Sequence, residues 1–581
     1  QTPLLPPPHA QPPPSDPAAP PAAALPPAAP VQSGGPGSQR ALQKEWKPIG
    51  ETRTDAIDVD PILAQLSYAN PWNPAPSGSK GIGSWTQGWD VKYDDADFKR
   101  GEPLKVFVMP HSHNDPGWLW SFEGYYQKYT GGIITTVIRA LKANPDRRFI
   151  WAEISFFELW WQNQGEDMRQ KARDVVKSGQ LEFVTAGWVM NDEANCDIYG
   201  ILEQLYEGRE WVEDTFGILP STGYAVDPFG QSAVMAQVLK RMGYDAMYIN
   251  RVQYAIKRVL AEQHNMDFVW RQHWDAEGST DMMVHMHPFF NYDVPHSCGP
   301  QPGVCCQFDF LRLETPGMTC PWGVKPEVIT SRNVAERSRT YLDQIKKKAT
   351  LFGGRSGRGN SVLVPIGGDL EYQHDSIASK MYENYEVMFK HINNDPSYNV
   401  HIQFGTLKDY FDSVAADYAK QSNLRVLSGP SFFTYADKDE EYWSGYYTSR
   451  PFYKHMNREL EGLLHAAQML QSSLLPSAAN AGAAEAESGL RTARRAMALF
   501  QHHDAITVRR PILAPTASVA ALTVLCCRQG TSKHATMDDY GKKLYNGVIA
   551  MQCLIVASLK QLGAAAGMPA LDGLQFHEVR Q

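Results

Sequence analysis

One segment, Val106-Phe-Val-Met-Pro-His-Ser-His-Asn-Asp-Pro-Gly-Trp118, constrains the fold most strongly. Its apolar start, Val106–Met109, predicts a buried strand, and the later Asp-Pro-Gly predicts a turn. Open α/β sheets place their ligand sites beyond the carboxyl ends of the strands. His113 and Asp115 are two positions apart, so a continuing strand would point both side chains to one face. The segment therefore predicts a strand end that offers one nitrogen and one oxygen to a metal.

The pattern along the chain predicts an α/β domain followed by helices. Between about residues 100 and 435, short apolar runs alternate with longer amphipathic stretches, which is typical of βαβ units and a mainly parallel sheet. These runs are Val106–Met109, Ile150–Ile154, Leu181–Val184, Met247–Ile249 and Val362–Ile366. Residues 440–581 predict a helical bundle, with helices over Leu460–Leu470 and Ala493–Phe500 and an extended loop or insertion over Ser472–Gly489. The Pro- and Ala-rich residues 1–45 predict a disordered stem or linker.

The composition narrows the class of partner. The net charge is −8 and no dense Lys/Arg patch is present, which argues against nucleic acid and favours a neutral substrate. No unbroken apolar run reaches the length of a membrane span, and the best candidates, around Leu513–Cys527 and Val548–Leu559, are short. The sequence starts with Gln1 rather than Met, which allows for a signal peptide or membrane anchor upstream of it.

Four of the eight cysteines cluster near residue 300: Cys298, Cys305, Cys306 and Cys320. Such a cluster fits either a zinc site or two disulfides. The spacing lacks the closely paired cysteines of common zinc sites, which favours disulfides in an oxidising compartment.

Several long motifs resemble one family. The first segment is followed in order by Phe149–Ser155, Gly179–Met190, Asp227–Gly230, Phe432–Asp437, Tyr442–Pro451 and Phe500–Asp504. Together they resemble the glycoside hydrolase family 38 α-mannosidases, and the first motif and the cysteine-rich segment resemble the Golgi branch. The resemblance implies a parallel-sheet catalytic domain, a helical bundle and, beyond the residues present here, C-terminal β domains.

The resemblance also implies the residues of the site. One zinc ion per catalytic domain would be held by His113, Asp115, Asp227 and His503, with Asp227 as nucleophile and Asp369 as general acid/base. Such a pair of carboxylates, about 5 Å apart, is what a retaining glycosidase needs.

Two neighbours of Asp369 depart from the family pattern. Gly368 stands where the family commonly has an aspartate, and Glu371 stands where a basic residue is common. Because a negative neighbour is lost at Gly368, we expect the pKa of Asp369 to be lowered rather than raised.

Aromatic side chains suit a sugar pocket, since apolar sugar faces stack on rings. The candidates are Trp118, Phe229, Tyr292 and Trp443. The resemblance places Trp118 and Trp443 against the mannose, Arg251 and Tyr292 near the carboxylates and Asp504 on a sugar hydroxyl. It further implies a surface for GlcNAc of another branch at His296, Pro321 and Trp322, where Phe290 replaces a frequent tyrosine, and the disulfides Cys298–Cys305 and Cys306–Cys320.

Residues 508–529 interrupt the family pattern. Gln501–Thr507 normally runs directly into the segment found here as Gly530-Thr-Ser-Lys533. We hypothesise that 508–529 is a retained in-frame intron, which sequencing of the transcript across the junction would test.

The expected function is a zinc-dependent retaining exo-α-mannosidase that removes terminal α1,3- or α1,6-linked mannose from N-glycans of glycoproteins. The resemblance implies the Golgi lumen, with type II membrane attachment through an N-terminal anchor, and allows a homodimer. The alternatives are a broad lysosomal-type α-mannosidase, a catalytically inactive mannose- or glycan-binding homologue and, more remotely, a metal-dependent deacetylase.

Overall fold

The structure, a computed structural model, describes residues 57–58, 91–99, 101–275, 277–313, 319–353, 359–421, 424–428, 432, 434–436, 442–474, 483–507 and 532–568. The predicted stem, residues 1–45, and the predicted insertion, residues 508–529, lie outside the described residues.

One sheet carries the long first strand at its centre. Its members are β2 (Leu104–His113), β3 (Phe149–Trp151), β4 (Leu181–Phe183), β9 (Ser361–Asp369) and β10 (Val400–Phe404). All of its strand pairs are parallel: β9 runs beside β2 from Lys105↔Ser361 to His113↔Asp369, and β10, then β3, pair with β2 as well. Both long strands are buried along nearly their whole length, which explains their continuous apolar runs.

The second sheet consists of β1 (Ile57–Asp58), β5 (Thr222–Ala225), β6 (Ala246–Ile249), β7 (Asp267–Arg271), β8 (Met282–Met286) and β11 (Val426–Ser428). Its strand order is β1-β11-β7-β8-β6-β5. Only β7 and β8 are antiparallel among these pairs. The Thr185 amide, just after β4, donates to the Thr222 carbonyl of β5 at 2.7 Å, and side chains of both sheets share one buried cluster.

The prediction of a mainly parallel α/β domain is therefore confirmed. Each predicted apolar run contains a strand, but Ile154 is a correction, because it begins a helix rather than ending β3.

Helices connect the strands and cover the sheets. In chain order they are α1 (Ala96–Lys99), α2 (Phe122–Tyr125), α3 (Gly131–Ala143), α4 (Ile154–Gln162), α5 (Glu166–Lys177), α6 (Ile198–Phe216), α7 (Ala233–Arg241), α8 (Tyr254–Glu262), α9 (Pro302–Cys305), α10 (Val334–Ala349), α11 (Asp375–Asn393) and α12 (Leu407–Gln421). Local signals define several ends: Asp197 caps α6 by accepting the Tyr199 amide hydrogen, and Gly217 ends it with φ +68°.

Three further helices follow: α13 (Pro451–Leu474), α14 (Ala483–Phe500) and α15 (His534–Ala565). They pack on one another and extend the main core of the α/β domain through residues such as Leu460, Met497 and Leu544, which confirms the predicted helical region. The predicted loop Ser472–Gly489 is partly wrong, since Ser472–Leu474 and Ala483–Gly489 are helical. Alanine, glutamate and leucine favour a helix there, despite the low complexity that suggested a loop.

Helix α15 is long and apolar enough to cross a membrane by length and composition. It contains Val548–Leu559, one of the two short apolar segments singled out in the sequence, and extends beyond it in both directions. Its buried side chains, among them Tyr540, Leu544 and Met551, belong to the main core, whereas most of its most apolar stretch is not buried.

The carboxyl ends of β2, β3 and β9 in the first sheet and of β5 and β6 in the second meet at one edge of the domain. They position the polar side chains considered below. His113 and Asp369 end the paired strands β2 and β9. Four further charged residues each stand two positions beyond a strand end: Asp115, Glu153, Asp227 and Arg251. The parallel arrangement therefore places them at one site.

Gly117 connects this edge to the helical bundle and allows a test of the fold. Its φ is +120°, and a Cβ there would overlap the Tyr540 hydroxyl, which donates to the Pro116 carbonyl. We expect Gly117→Ala to destabilise the fold by roughly 2–4 kcal/mol, because a backbone strain and a clash add. Gly179→Ala is the control, since Gly179 also has positive φ (+75°) but open space around it. Equal losses of melting temperature in the two variants would contradict the clash.

Candidate active site

Four buried side chains bring their nitrogen and oxygen atoms together at the sheet edge. His113 Nε2 lies 2.8 Å from Asp115 Oδ1 and 3.6 Å from Asp227 Oδ2. His503 Nε2 lies 2.9 Å from the same Asp227 oxygen and 3.6 Å from Asp115 Oδ1. One ligand atom from each of the four residues lies within 4.8 Å of the others, so the group could hold a metal ion.

The route by which Asp115 reaches His113 corrects the expectation from strand alternation. Strand β2 ends at His113, so Asp115 is not on the same strand face. The turn after the strand folds it back instead, with the Gly117 amide donating to the Asp115 carbonyl at 2.7 Å.

The fourth member, His503, comes from the turn after α14 rather than from the sheet. Its Nδ1 lies 2.8 Å from the Met190 carbonyl oxygen, which can only accept, so Nδ1 carries the proton. Nε2 is thereby left facing Asp227. An isolated bridge between Asn191 and His502 holds the turn against the segment after β4.

The electrostatics of the group are those of a cation site. Burial lowers the pKa of both histidines, but the facing Asp115 and Asp227 outweigh it, raising the pKa of His503 to about 10 and that of His113 well above its usual value. Burial also opposes ionisation of Asp227, yet Arg251 and the two imidazoles hold its pKa well below the usual range. Positive charge is thus favoured at the centre of the group.

The donor set fits a transition metal. Two imidazole nitrogens and two carboxylate oxygens, buried and contributed by three separate segments, match the N and O ligands that zinc takes in four-coordinate protein sites. A second group, Asp115, His502, His503 and Asp504, also meets the geometric requirement. Because His503 Nε2 can bind only one ion, the two groups are alternatives. The first has the shorter contacts, since His502 Nε2 is 3.7 Å from Asp115 and 3.6 Å from Asp504.

Asp227 is held from two sides. Its Oδ2 faces His503, and its Oδ1 accepts a hydrogen bond of 2.7 Å from Arg251 Nε and a second from Arg251 Nη2. The guanidinium lies 5.5–5.7 Å from the ring centres of Phe229, Tyr435 and Trp443. The Asp227 carboxylate is therefore ionised and fixed in position, and aromatic rings surround the guanidinium that holds it.

Asp369, the candidate acid/base, stands beside this group. Tyr292 donates a hydrogen bond of 2.7 Å to its Oδ1. Asp369 is the exposed last residue of β9, whereas the eight preceding residues of the strand are buried. Burial, together with Asp115 and Asp227 and against His113, raises the pKa of Asp369 to about 6. Burial and these two carboxylates therefore keep the pKa of Asp369 above its ordinary value, although Gly368 contributes no negative charge.

The two departures from the family pattern lie against each other. A Cβ at Gly368 would contact Glu371 Cγ at 3.6 Å and Asp293 Cβ at 3.7 Å, which is ordinary packing. Burial, followed by the Asp309 charge and, less strongly, those of Asp369 and Asp293, raises the pKa of Glu371 to about 8.

Of the remaining predicted substrate residues, Trp443 and Asp504 lie beside members of this centre. Trp443 packs on Phe229 with ring centres 4.8 Å apart, and Asp504 is buried next to His503. Trp118 is half-buried and packs against the main core, and its carbonyl accepts the Lys533 amide hydrogen at 2.9 Å.

The cysteine-rich segment contains the disulfides Cys298–Cys305 and Cys306–Cys320, the pairing implied by the resemblance, and so is not a four-cysteine zinc site. His296 packs between Phe290 and Trp322, with ring centres 5.5 and 5.8 Å away. Its Nδ1 lies 2.5 Å from Asp293, the residue after Tyr292, so this surface adjoins Asp369.

Comparison with known proteins identifies the family. Residues 103–438 match the glycosyl hydrolases family 38 N-terminal domain, and residues 441–509 match the alpha mannosidase middle domain. The chain belongs to glycosyl hydrolase family 38.

Similar members of family 38 include Alpha-mannosidase 2 of Drosophila melanogaster, 44% identical over 481 residues, which cover 83% of this chain and 40% of that protein. Alpha-mannosidase 2 of Homo sapiens is 42% identical over 516 residues, covering 87% and 42%. An alpha-mannosidase structure from Enterococcus faecalis V583 shares the fold with TM-score 0.54 at 13% identity, covering 79% of this chain and 43% of that one. The alignment with the Drosophila protein thus spans about 40% of that relative's length.

Three residues of the site were not singled out in the sequence: Glu153, His502 and Tyr435. All three lie inside motifs that carry the family resemblance, but spacing alone does not reveal which member of a motif faces the centre. Tyr435, for example, is recognised by its contact with Arg251 Nη1 at 3.4 Å.

Proposed function

We propose that the protein is a zinc-dependent retaining exo-α-mannosidase that removes terminal α1,3- or α1,6-linked mannose from N-glycans in the Golgi lumen. The observation that carries the proposal is the meeting of His113, Asp115, Asp227 and His503 with Asp369 at one strand edge. Its membership of family 38 and its similarity to proteins named Alpha-mannosidase 2 support this reaction class. Type II membrane attachment and a homodimer belong to the same proposal.

The roles of the two carboxylates follow from their environments. Asp227, kept ionised by Arg251 and the imidazoles, attacks the anomeric carbon, and the bond to the leaving oxygen breaks. Asp369, protonated at acidic pH, gives its proton to that oxygen. In the second half-reaction Asp369 takes a proton from water, which displaces Asp227 from the sugar with overall retention. Zinc, when bound by the four ligands, supplies Lewis-acid polarisation of sugar oxygens.

Neighbouring side chains hold these groups and the sugar. Tyr292 fixes Asp369 through its hydroxyl, and Arg251 prevents Asp227 from turning away. Phe229 and Trp443 provide an apolar surface for a sugar face. The adjoining surface of His296 and Trp322 would bind a GlcNAc residue, which would distinguish Golgi-type trimming from broad lysosomal-type hydrolysis.

Removal of the metal tests the proposal. We expect dialysis against a chelator to reduce hydrolysis of 4-nitrophenyl α-mannoside by about 10²-fold or more, because the ligand set then lacks its central cation, and added zinc to restore it. Calcium is the control, since a hard cation prefers oxygen ligands to imidazole. NMR of the first-formed mannose should show the α-anomer.

Unchanged activity in a protein shown to be zinc-free would contradict the zinc dependence. A zinc-loaded protein that binds mannosides without hydrolysing them would instead support a non-catalytic glycan binder. Equally fast hydrolysis of N-glycans that carry and that lack the GlcNAc residue on the other branch would favour the lysosomal-type alternative.

A further inference from the structure

Glu153 is a buried carboxylate without an evident structural role. It stands two positions beyond β3 and immediately before α4, yet its side chain makes no capping hydrogen bond to that helix. The residue is 1% exposed, and among the described residues neither carboxylate oxygen has a hydrogen-bond partner in another residue. Burying an acceptor of this kind without a donor is unfavourable, and such groups generally have a function or a partner in another state.

A donor without an acceptor lies next to it. Among the described residues, His113 Nδ1 also has no hydrogen-bond partner, and it is 3.7 Å from Glu153 Oε1. The other ring nitrogen, Nε2, faces Asp115 and Asp227, where the metal would bind. A neutral histidine that binds a metal through Nε2 carries its proton on Nδ1, so the ligand state of His113 presents a hydrogen towards Glu153.

The second histidine of the group shows what is missing at the first. His503 has its Nδ1 fixed by the Met190 carbonyl oxygen at 2.8 Å. Metal-binding histidines regularly donate this other N–H to a carbonyl or a carboxylate, which orients the ring. At His113, the side chain placed for this role is Glu153.

We propose that Glu153 is the positioning residue for the metal ligand His113: with the ion bound, its carboxylate accepts the Nδ1–H of His113 and holds Nε2 towards the ion. The inference rests on the metal site of the proposed function. It requires only that the distance between His113 Nδ1 and Glu153 Oε1 shorten from 3.7 Å to hydrogen-bond length, which a side-chain rotation can achieve.

The test measures zinc affinity rather than hydrolysis. Zinc binding to the metal-free chain is followed by competition with a zinc-binding dye for the wild type, Glu153→Gln and Glu153→Leu. We expect Glu153→Leu to weaken zinc binding by about 10- to 100-fold, whereas Glu153→Gln, which keeps an acceptor oxygen, stays within a few-fold of the wild type. Glu158→Leu is the control. It removes a carboxylate of α4 that pairs with Arg495, and it should leave zinc affinity unchanged.

Unfolding of the metal-free forms separates positioning from packing. Because Glu153→Leu removes an unpartnered buried carboxylate, we expect its metal-free melting temperature to equal or exceed that of the wild type. Wild-type zinc affinity in Glu153→Leu would overturn the inference and leave the metal site standing. Absence of zinc binding by the wild type itself would overturn both.

A measurement on the wild type makes the result independent of folding of the variants. In the cobalt-substituted protein, the N–H protons of metal-bound histidines give shifted NMR signals. We expect two such signals that exchange slowly with water, one for His503 on Met190 and one for His113 on Glu153. A single slow signal would contradict the hydrogen bond to Glu153.

Discussion

Asp227→Asn should abolish mannoside hydrolysis, with kcat reduced by roughly 10⁴-fold or more. The substitution removes the negative charge that attacks the anomeric carbon and leaves the guanidinium of Arg251, now 2.7 Å from Asp227 Oδ1, without its counter-charge. It also replaces one of the four proposed metal ligands. The measurement is kcat with 4-nitrophenyl α-mannoside at saturating zinc, with bound zinc determined on the same samples.

Two matched variants separate the roles of Asp227. Asp115→Asn replaces a proposed ligand that is not the nucleophile, so at saturating zinc it should retain clearly more activity than Asp227→Asn. Asp375→Asn changes an aspartate whose side chain is 61% exposed and should behave like the wild type. An Asp227→Asn protein that carries zinc and keeps more than about a hundredth of wild-type kcat would exclude Asp227 as the nucleophile.

Asp369→Asn should reduce kcat by about 10²- to 10⁴-fold on glycosides with poor leaving groups, since an amide cannot protonate the leaving oxygen. The loss should be much smaller with 2,4-dinitrophenyl mannoside, whose leaving group needs no proton. The pH dependence of kcat also tests the role of Asp369 as general acid. The pKa of Asp369 is raised to about 6, so the protonated, active form is lost as pH rises through that value and wild-type activity falls on the alkaline side.

The pH profiles of two variants test whether Asp369 is the general acid whose deprotonation lowers the activity. Asp369→Asn should lack the alkaline limb near pH 6 that the wild type shows. Tyr292→Phe removes a hydrogen bond that stabilises the ionised form of Asp369, so its limb should move to higher pH. Equal losses on both leaving groups, with the limb unmoved in Asp369→Asn, would assign the acid to another residue.

Fold class could be predicted because it depends on local patterns. The continuous apolar run before His113 and the run before Asp369 are buried on both faces, which predicts central parallel strands, and these became the directly paired β2 and β9. The boundaries were less accessible. The composition of Ser472–Gly489 predicts a loop, but α13 continues to Leu474 and α14 starts at Ala483, where alanine and glutamate favour a helix.

The sequence alone determined which chemical groups are available: His113 and Asp115 after one apolar run, Asp369 after another, and Asp227 in a motif that carries the family resemblance. These are properties of neighbours in the chain. Tertiary structure decided their electrostatics, because the pKa of Asp369 depends on burial and on the distant Asp115 and Asp227. It also decided the partners of single atoms, such as Glu153 beside His113 and Met190 beside His503, because packing of separate segments sets those distances.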